Sequence, residues 1–155
     1  MRTRTIALTL ATLFAAVTMC FAAEDAFMGT WKLNEAKSKI PAGSGKLVTA
    51  VYEAAGDSVK ATTDGVDATG KPTHAEWTGK FDGKDYPVTG DPDVDMRSYT
   101  RVNDHRLRIN ETKAGKVVVS GTISVSADGK TRTVTVTQTD AKGNKVTTTR
   151  VYDKQ

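Results

Sequence analysis

The nine residues Thr131-Arg132-Thr133-Val134-Thr135-Val136-Thr137-Gln138-Thr139 set Val134 and Val136 against threonines at every second position. Branched Thr and Val side chains fit a pleated surface with one face buried, and a period of two puts one face in and one out. The same rhythm runs outward in both directions. Upstream, Val117, Val119, Ile123 and Val125 alternate with Val118, Ser120, Thr122 and Ser124. Downstream, Val146, Thr148, Arg150 and Tyr152 alternate with Lys145, Thr147, Thr149 and Val151. Turn pairs punctuate the chain at Asp64-Gly65, Asp82-Gly83 and Asp128-Gly129, with further turn signals at Asn103-Asp104, Ala114-Gly115 and Gly143-Asn144. Strands are predicted at 29–33, 46–54, 57–64, 73–81, 85–88, 96–102, 105–112, 116–126, 131–139 and 145–152. Only Asn34–Lys39, just before Pro41, has the composition for a helical turn. Many short strands with regular turns predict an all-β sandwich or barrel.

The N-terminus has a different character. Arg2 and Arg4 precede an apolar stretch from Ile6 to Phe21, and the small residues Ala22 and Ala23 come before Glu24 and Asp25. Charged start, apolar middle and small-residue end are the order of an export signal, predicted over 1–23 with the folded domain over 24–155. The chain is therefore expected in the periplasm or outside the cell. A spanning helix wants about 20 apolar residues, and the diluted run here is short for one. Cys20 is the only cysteine, and Met19 before it is a poor match to a lipidation signal, so a lipid anchor is the lesser expectation. Without Cys20 the domain has no disulfide and depends on burial and hydrogen bonding. About 130 residues suffice for one core.

Net charge is +4, and setting aside Arg2 and Arg4 leaves 20 basic against 18 acidic side chains. That near balance, with no basic run, excludes a nucleic-acid binder of the usual electrostatic kind.

Gly29-Thr30-Trp31 on the first predicted strand resembles the opening motif of the lipocalins and their calycin relatives. The whole domain resembles a group of small, uncharacterised bacterial secreted proteins with a lipocalin-like domain, on Gly29–Asn34, on the segment from Asp82 to Gly90 and on Val151-Tyr152-Asp153-Lys154-Gln155. The resemblance implies a single antiparallel up-and-down barrel of about 8–10 short strands, with one short helical turn after the first. It also implies that Gly29 and Trp31 close one end, with an arginine from the last strands across the indole. Arg150 is the first choice for that cation–π partner and Arg132 the second. The chain departs from the fatty-acid-binding relatives, because residues 34–45 are too few for their two helices.

A two-residue turn at Asn103-Asp104 pairs Arg101 with Arg106 and Tyr99 with Arg108. Met96, Ser98, Thr100 and Val102 then share the inner face with His105, Leu107 and Ile109, while Arg97, Arg101, Arg106 and Arg108 form an outer basic patch. The core is predicted as Trp31, Trp77, Phe81, Leu107, Ile109, Val117, Val119, Ile123, Val134 and Val136. Small or polar inward neighbours (Thr100, Gly121, Gln138, Thr148) fit a cavity, or equally a narrow threonine-lined core, since a barrel of about eight strands either fills itself or holds one small ligand. Trp77, Tyr52, Thr100, His105 and Gln138 are the expected ligand contacts.

Other signals read as local structure. His74 is out of phase with Trp77 and predicted to face solvent. Asp91, Asp93 and Asp95 alternate, but Met96 and Val102 stand where a calcium loop needs Gly and Glu. Gly43-Ser44-Gly45-Lys46 lacks the upstream glycine of a phosphate loop, with Ile40 there instead. No catalytic triad, metal set or cofactor fingerprint is present. The expectation is a monomeric, non-enzymatic binder of a small apolar or amphipathic ligand, with no cofactor. The alternative is a module, or inhibitor, that meets another envelope protein through its outer face.

Overall fold

The computed structural model describes residues 25–139 and 143–155. The expected export signal over 1–23, with Cys20, lies outside them. The described chain forms ten strands: β1 Gly29–Leu33, β2 Lys46–Ala55, β3 Ser58–Val66, β4 Pro72–Gly79, β5 Tyr86–Thr89, β6 Met96–Asn103, β7 Arg106–Lys113, β8 Lys116–Val125, β9 Thr131–Thr139 and β10 Lys145–Lys154. Each pairs antiparallel with its neighbour in sequence, and β1 pairs with both β2 and β10 to close the barrel. Closure removes the open sheet edge that would otherwise template association. The expected helical turn is a single 3-10 turn, Glu35–Lys37, capped by the Asn34 side chain. Ser38 fastens it to the last strand by accepting from Val151 N at 2.9 Å. Among the described residues no helix is long and apolar enough to cross a membrane.

Up-and-down order sends successive connections to alternate ends. One end is packed with aromatic rings. Trp31 is fully buried, and its indole N–H donates to Phe27 O at 3.0 Å. Trp77 stacks on Phe81 and meets Tyr99 edge-on at 4.8 Å, while Phe27 meets Phe81 at 5.9 Å. Such edge and offset contacts add about 0.5–1.5 kcal/mol each beyond area burial. Outside this cluster Arg101 lies over both Phe27 and Phe81 and pairs with Asp25.

Four sequence-level expectations are corrected. The β6–β7 loop is Asp104-His105, with a bulge between Arg101 and Asn103, so Tyr99 faces Ile109 and Arg101 faces Leu107. A one-residue slip turns every side chain of a strand over. Arg97 and Tyr99 thus point inward, Met96, Ser98 and Thr100 lie on the opposite face, and the four-arginine outer patch does not form. Asp64-Gly65 is not a turn, because β3 runs through it to Val66. A side chain at 65 would collide with the backbone of Lys46 and Leu47, where β2 bulges. Val117 is 62 % exposed rather than core. The β7–β8 register shifts between Glu111 and Thr112, so Val118 packs on the core in its place. Finally, the cation beside Trp31 is Lys154, with Nζ 5.5 Å from the ring centroid and Lys154 opposite Trp31 in the ladder. Arg150 sits four residues earlier on β10, where it lines the barrel interior instead.

Candidate functional site

Beyond the aromatic cluster the interior is not filled. A cavity of about 470 Å³ runs from Tyr52 and Tyr99 to the opposite end of the barrel. Its rim is made by Ser44–Lys46, by Asp67 and Ala68 after β3, and by Gly90–Asp93 before β6. The volume lies within the usual range for small-molecule sites, roughly 300–1,000 Å³. Strand alternation builds the walls. Ala50, Ala75, Ile109, Ile123, Val134 and Val136 are buried and face inward. Small residues at 50 and 75 leave space that larger ones would occupy. Gly121, opposite Ile109 and Val136 in the ladders, carries no side chain because a Cβ there would strike the backbone of Thr135 and Val136.

The same alternation delivers charge to the interior. Arg97 and Glu111 face each other across β6–β7, both nearly buried, with Arg97 Nε donating to Glu111 Oε1 at 2.6 Å. Burial opposes the Arg97 charge, but the guanidinium is held above its ordinary value, with the Glu111 carboxylate as its charged partner. Deeper in, Arg132 is 4 % exposed. Its guanidinium lies 4.4 Å from the Tyr52 ring centroid and 5.7 Å from that of Tyr152, and its Nη2 donates to Tyr52 Oη at 2.7 Å. Tyr52 Oη and Tyr99 Oη share a hydrogen bond of 2.9 Å. Burial raises the Tyr99 hydroxyl well above the phenol range, with Tyr52 adding to the shift, and Tyr99 stays protonated. Burial raises Tyr152 as well; its hydroxyl donates to Leu47 O at 3.1 Å.

The sequence-predicted contacts divide. Tyr52 and Gln138 line the cavity. Trp77 belongs to the aromatic end, where its N–H donates to Arg97 O at 2.9 Å. Thr100 is on the outer face beside Gly83, and His105 is exposed in the β6–β7 turn, so neither reaches the interior. Both were placed inward by the register that the bulge overturns. The alternation missed Arg97, Tyr99 and Glu111 as interior groups, and the lipocalin resemblance gave Arg132 a different role. A signal existed: Arg132 shares parity with Val134 and Val136, and Glu111 with Leu107 and Ile109. A charged residue in phase with an apolar face marks a polar interior.

The remaining candidates are local. His74 is exposed and bonds Asp64 at 2.7 Å, which raises its pKa. Asp91 accepts from Asp93 N, while Asp95 takes Ala114 N and the Lys113 ammonium. Among the described residues no group of three or more His, Cys, Asp or Glu is arranged to hold a metal. The chain matches no protein-family model, and no curated protein matches it significantly. The closed ten-stranded antiparallel barrel is consistent with a lipocalin or calycin-like fold.

Proposed function

We propose that this protein is an exported carrier, not a catalyst, that takes one small amphipathic molecule into its barrel. One observation carries the reading: an interior of about 470 Å³ with aliphatic walls and a polar patch of tyrosine and arginine at its inner end. A small molecule with an apolar body and a polar end matches both surfaces, and a few placed polar groups among apolar walls are the usual make-up of such sites. A module working only through its outer face would gain from a filled core, because every void forfeits packing. The order of charges and small residues over 1–23 supports export.

Native mass spectrometry of the purified chain after exposure to a lipid extract tests the proposal. The expected result is one bound species of a few hundred daltons, released on denaturation. A bare protein mass throughout would turn attention to the outer face and to pull-down of envelope partners. The same spectrum reports whether residues 1–23 have been removed.

A further inference from the structure

The charges inside the barrel do not balance. Arg97 has Glu111 at 2.6 Å, but Arg132 and Arg150 have no carboxylate within ion-pair distance among the described residues. Arg132 Nη1 and Arg150 Nε are buried and have no hydrogen-bond partner there. Both arginines line the cavity. Nearby tyrosines add one more donor. Tyr52 and Tyr99 carry two hydroxyl protons, their shared bond uses one, and the Arg132 bond to Tyr52 Oη uses a lone pair. The second phenolic proton has no acceptor among the described residues. Buried donors without partners are rare in folded proteins, and a buried cation without a counter-charge is rarer still. Two guanidinium groups and one phenolic O–H thus carry unused donors beside one cavity, whose carboxylates are Glu111, already paired, and Asp67, Asp91 and Asp93 out at the rim.

We infer that the ligand carries an oxyanion head that docks between Arg132 and Arg150 with the Tyr52–Tyr99 pair beneath it, its apolar body pointing toward the rim. The inference rests on the carrier reading above and sharpens it to a chemical class. Guanidinium groups pair with carboxylate and phosphate oxygens through charge-assisted bonds. Arg132 is already fixed in position to do so. It is sandwiched against the Tyr52 and Tyr152 rings and anchored by Nη2, which leaves Nη1 free. Arg132 lies opposite Tyr152 on β10, two residues from Arg150, so adjacent strands present both cations on one wall. Val134 and Val136, in phase with Arg132 and closer to the rim, supply the start of an apolar track for the ligand body.

Four probes with the same twelve-carbon tail test the head alone: dodecanoate, dodecyl phosphate, dodecanol and dodecylamine. Each is titrated calorimetrically into the full chain near neutral pH, below its micelle concentration. One or both oxyanions are expected to bind about 10- to 100-fold tighter than dodecanol, the worth of one charge-assisted hydrogen bond, and dodecylamine weaker than either. The tighter oxyanion identifies the head as carboxylate or phosphate. In the double variant Arg132→Gln/Arg150→Gln, checked for its fold by circular dichroism, the ratio of oxyanion to alcohol affinity is expected to collapse toward one while dodecanol binding stays. If that variant does not fold, the ratio in the unmodified protein decides. Equal binding of dodecanol and both oxyanions overturns the head assignment and leaves the carrier. An oxyanion preference that survives in the folded double variant overturns the assignment to Arg132 and Arg150. Binding of none of the four overturns the carrier reading and this inference with it.

Discussion

At the scale of single residues, the interior is governed by which charges have partners. Arg97 and Glu111 neutralise each other in a nearly buried setting. Removing one member of such a pair leaves the other charged and desolvated, at a cost of about 3–5 kcal/mol, whereas replacing both by apolar groups is often neutral or better. Arg97→Met and Glu111→Leu are therefore each expected to destabilise strongly, and the double variant to recover most of the loss. Urea unfolding of the three proteins checks this; additive losses would mean that the two side chains do not act as a pair. The sequence showed these residues only through their parity with Tyr99 and Ile109. Their partnership became visible once β6 and β7 were in register, because that register turns on a single extra residue, Val102.

At the scale of elements, most strand limits were legible, because Thr and Val alternation and Gly-containing turns act locally. Registers were less so. Each of the three bulges comes from how neighbouring strands must coil to close the barrel, and short-range pattern does not report that. The β7–β8 hairpin illustrates the local side. Its two-residue loop puts Ala114 at φ 48° and Gly115 at φ 75°, the left-handed pair that a tight hairpin uses. Alanine resists that conformation, and Ala114 is the sole non-glycine residue with positive φ among the described residues. Ala114→Gly is expected to raise stability by about 0.5–1 kcal/mol, since relief of strain exceeds the added freedom of the unfolded chain. Thermal unfolding measures it. A lower melting temperature would mean that the bracing of this turn by Asp95 depends on the alanine.

At the scale of the whole molecule, a binding cavity and a stable core compete for the same interior. An unpartnered cation lowers the stability of the empty barrel and is offset when a ligand neutralises it. Arg150→Met is expected to raise the melting temperature of the ligand-free protein by a few degrees while weakening oxyanion binding, a trade between stability and function. A fall in melting temperature would instead assign Arg150 the end-closing role that the lipocalin resemblance implied. The position of Lys154 over Trp31 argues against that role, because the indole already has its cation.

The sequence by itself determined that this is an antiparallel β domain of about 8–10 short strands with Trp31 on the first strand and one helical turn behind it. Those features follow from period-two alternation, turn chemistry and a short motif, all of which act over a few residues. Only the tertiary structure decided which faces turn inward on β6 and at the start of β8, which cation covers Trp31, and that two arginines meet an uncompensated cavity. Those outcomes depend on strand register and barrel closure. They bring residues as distant as Tyr52 and Arg132 within 2.7 Å, and no local pattern encodes such a contact.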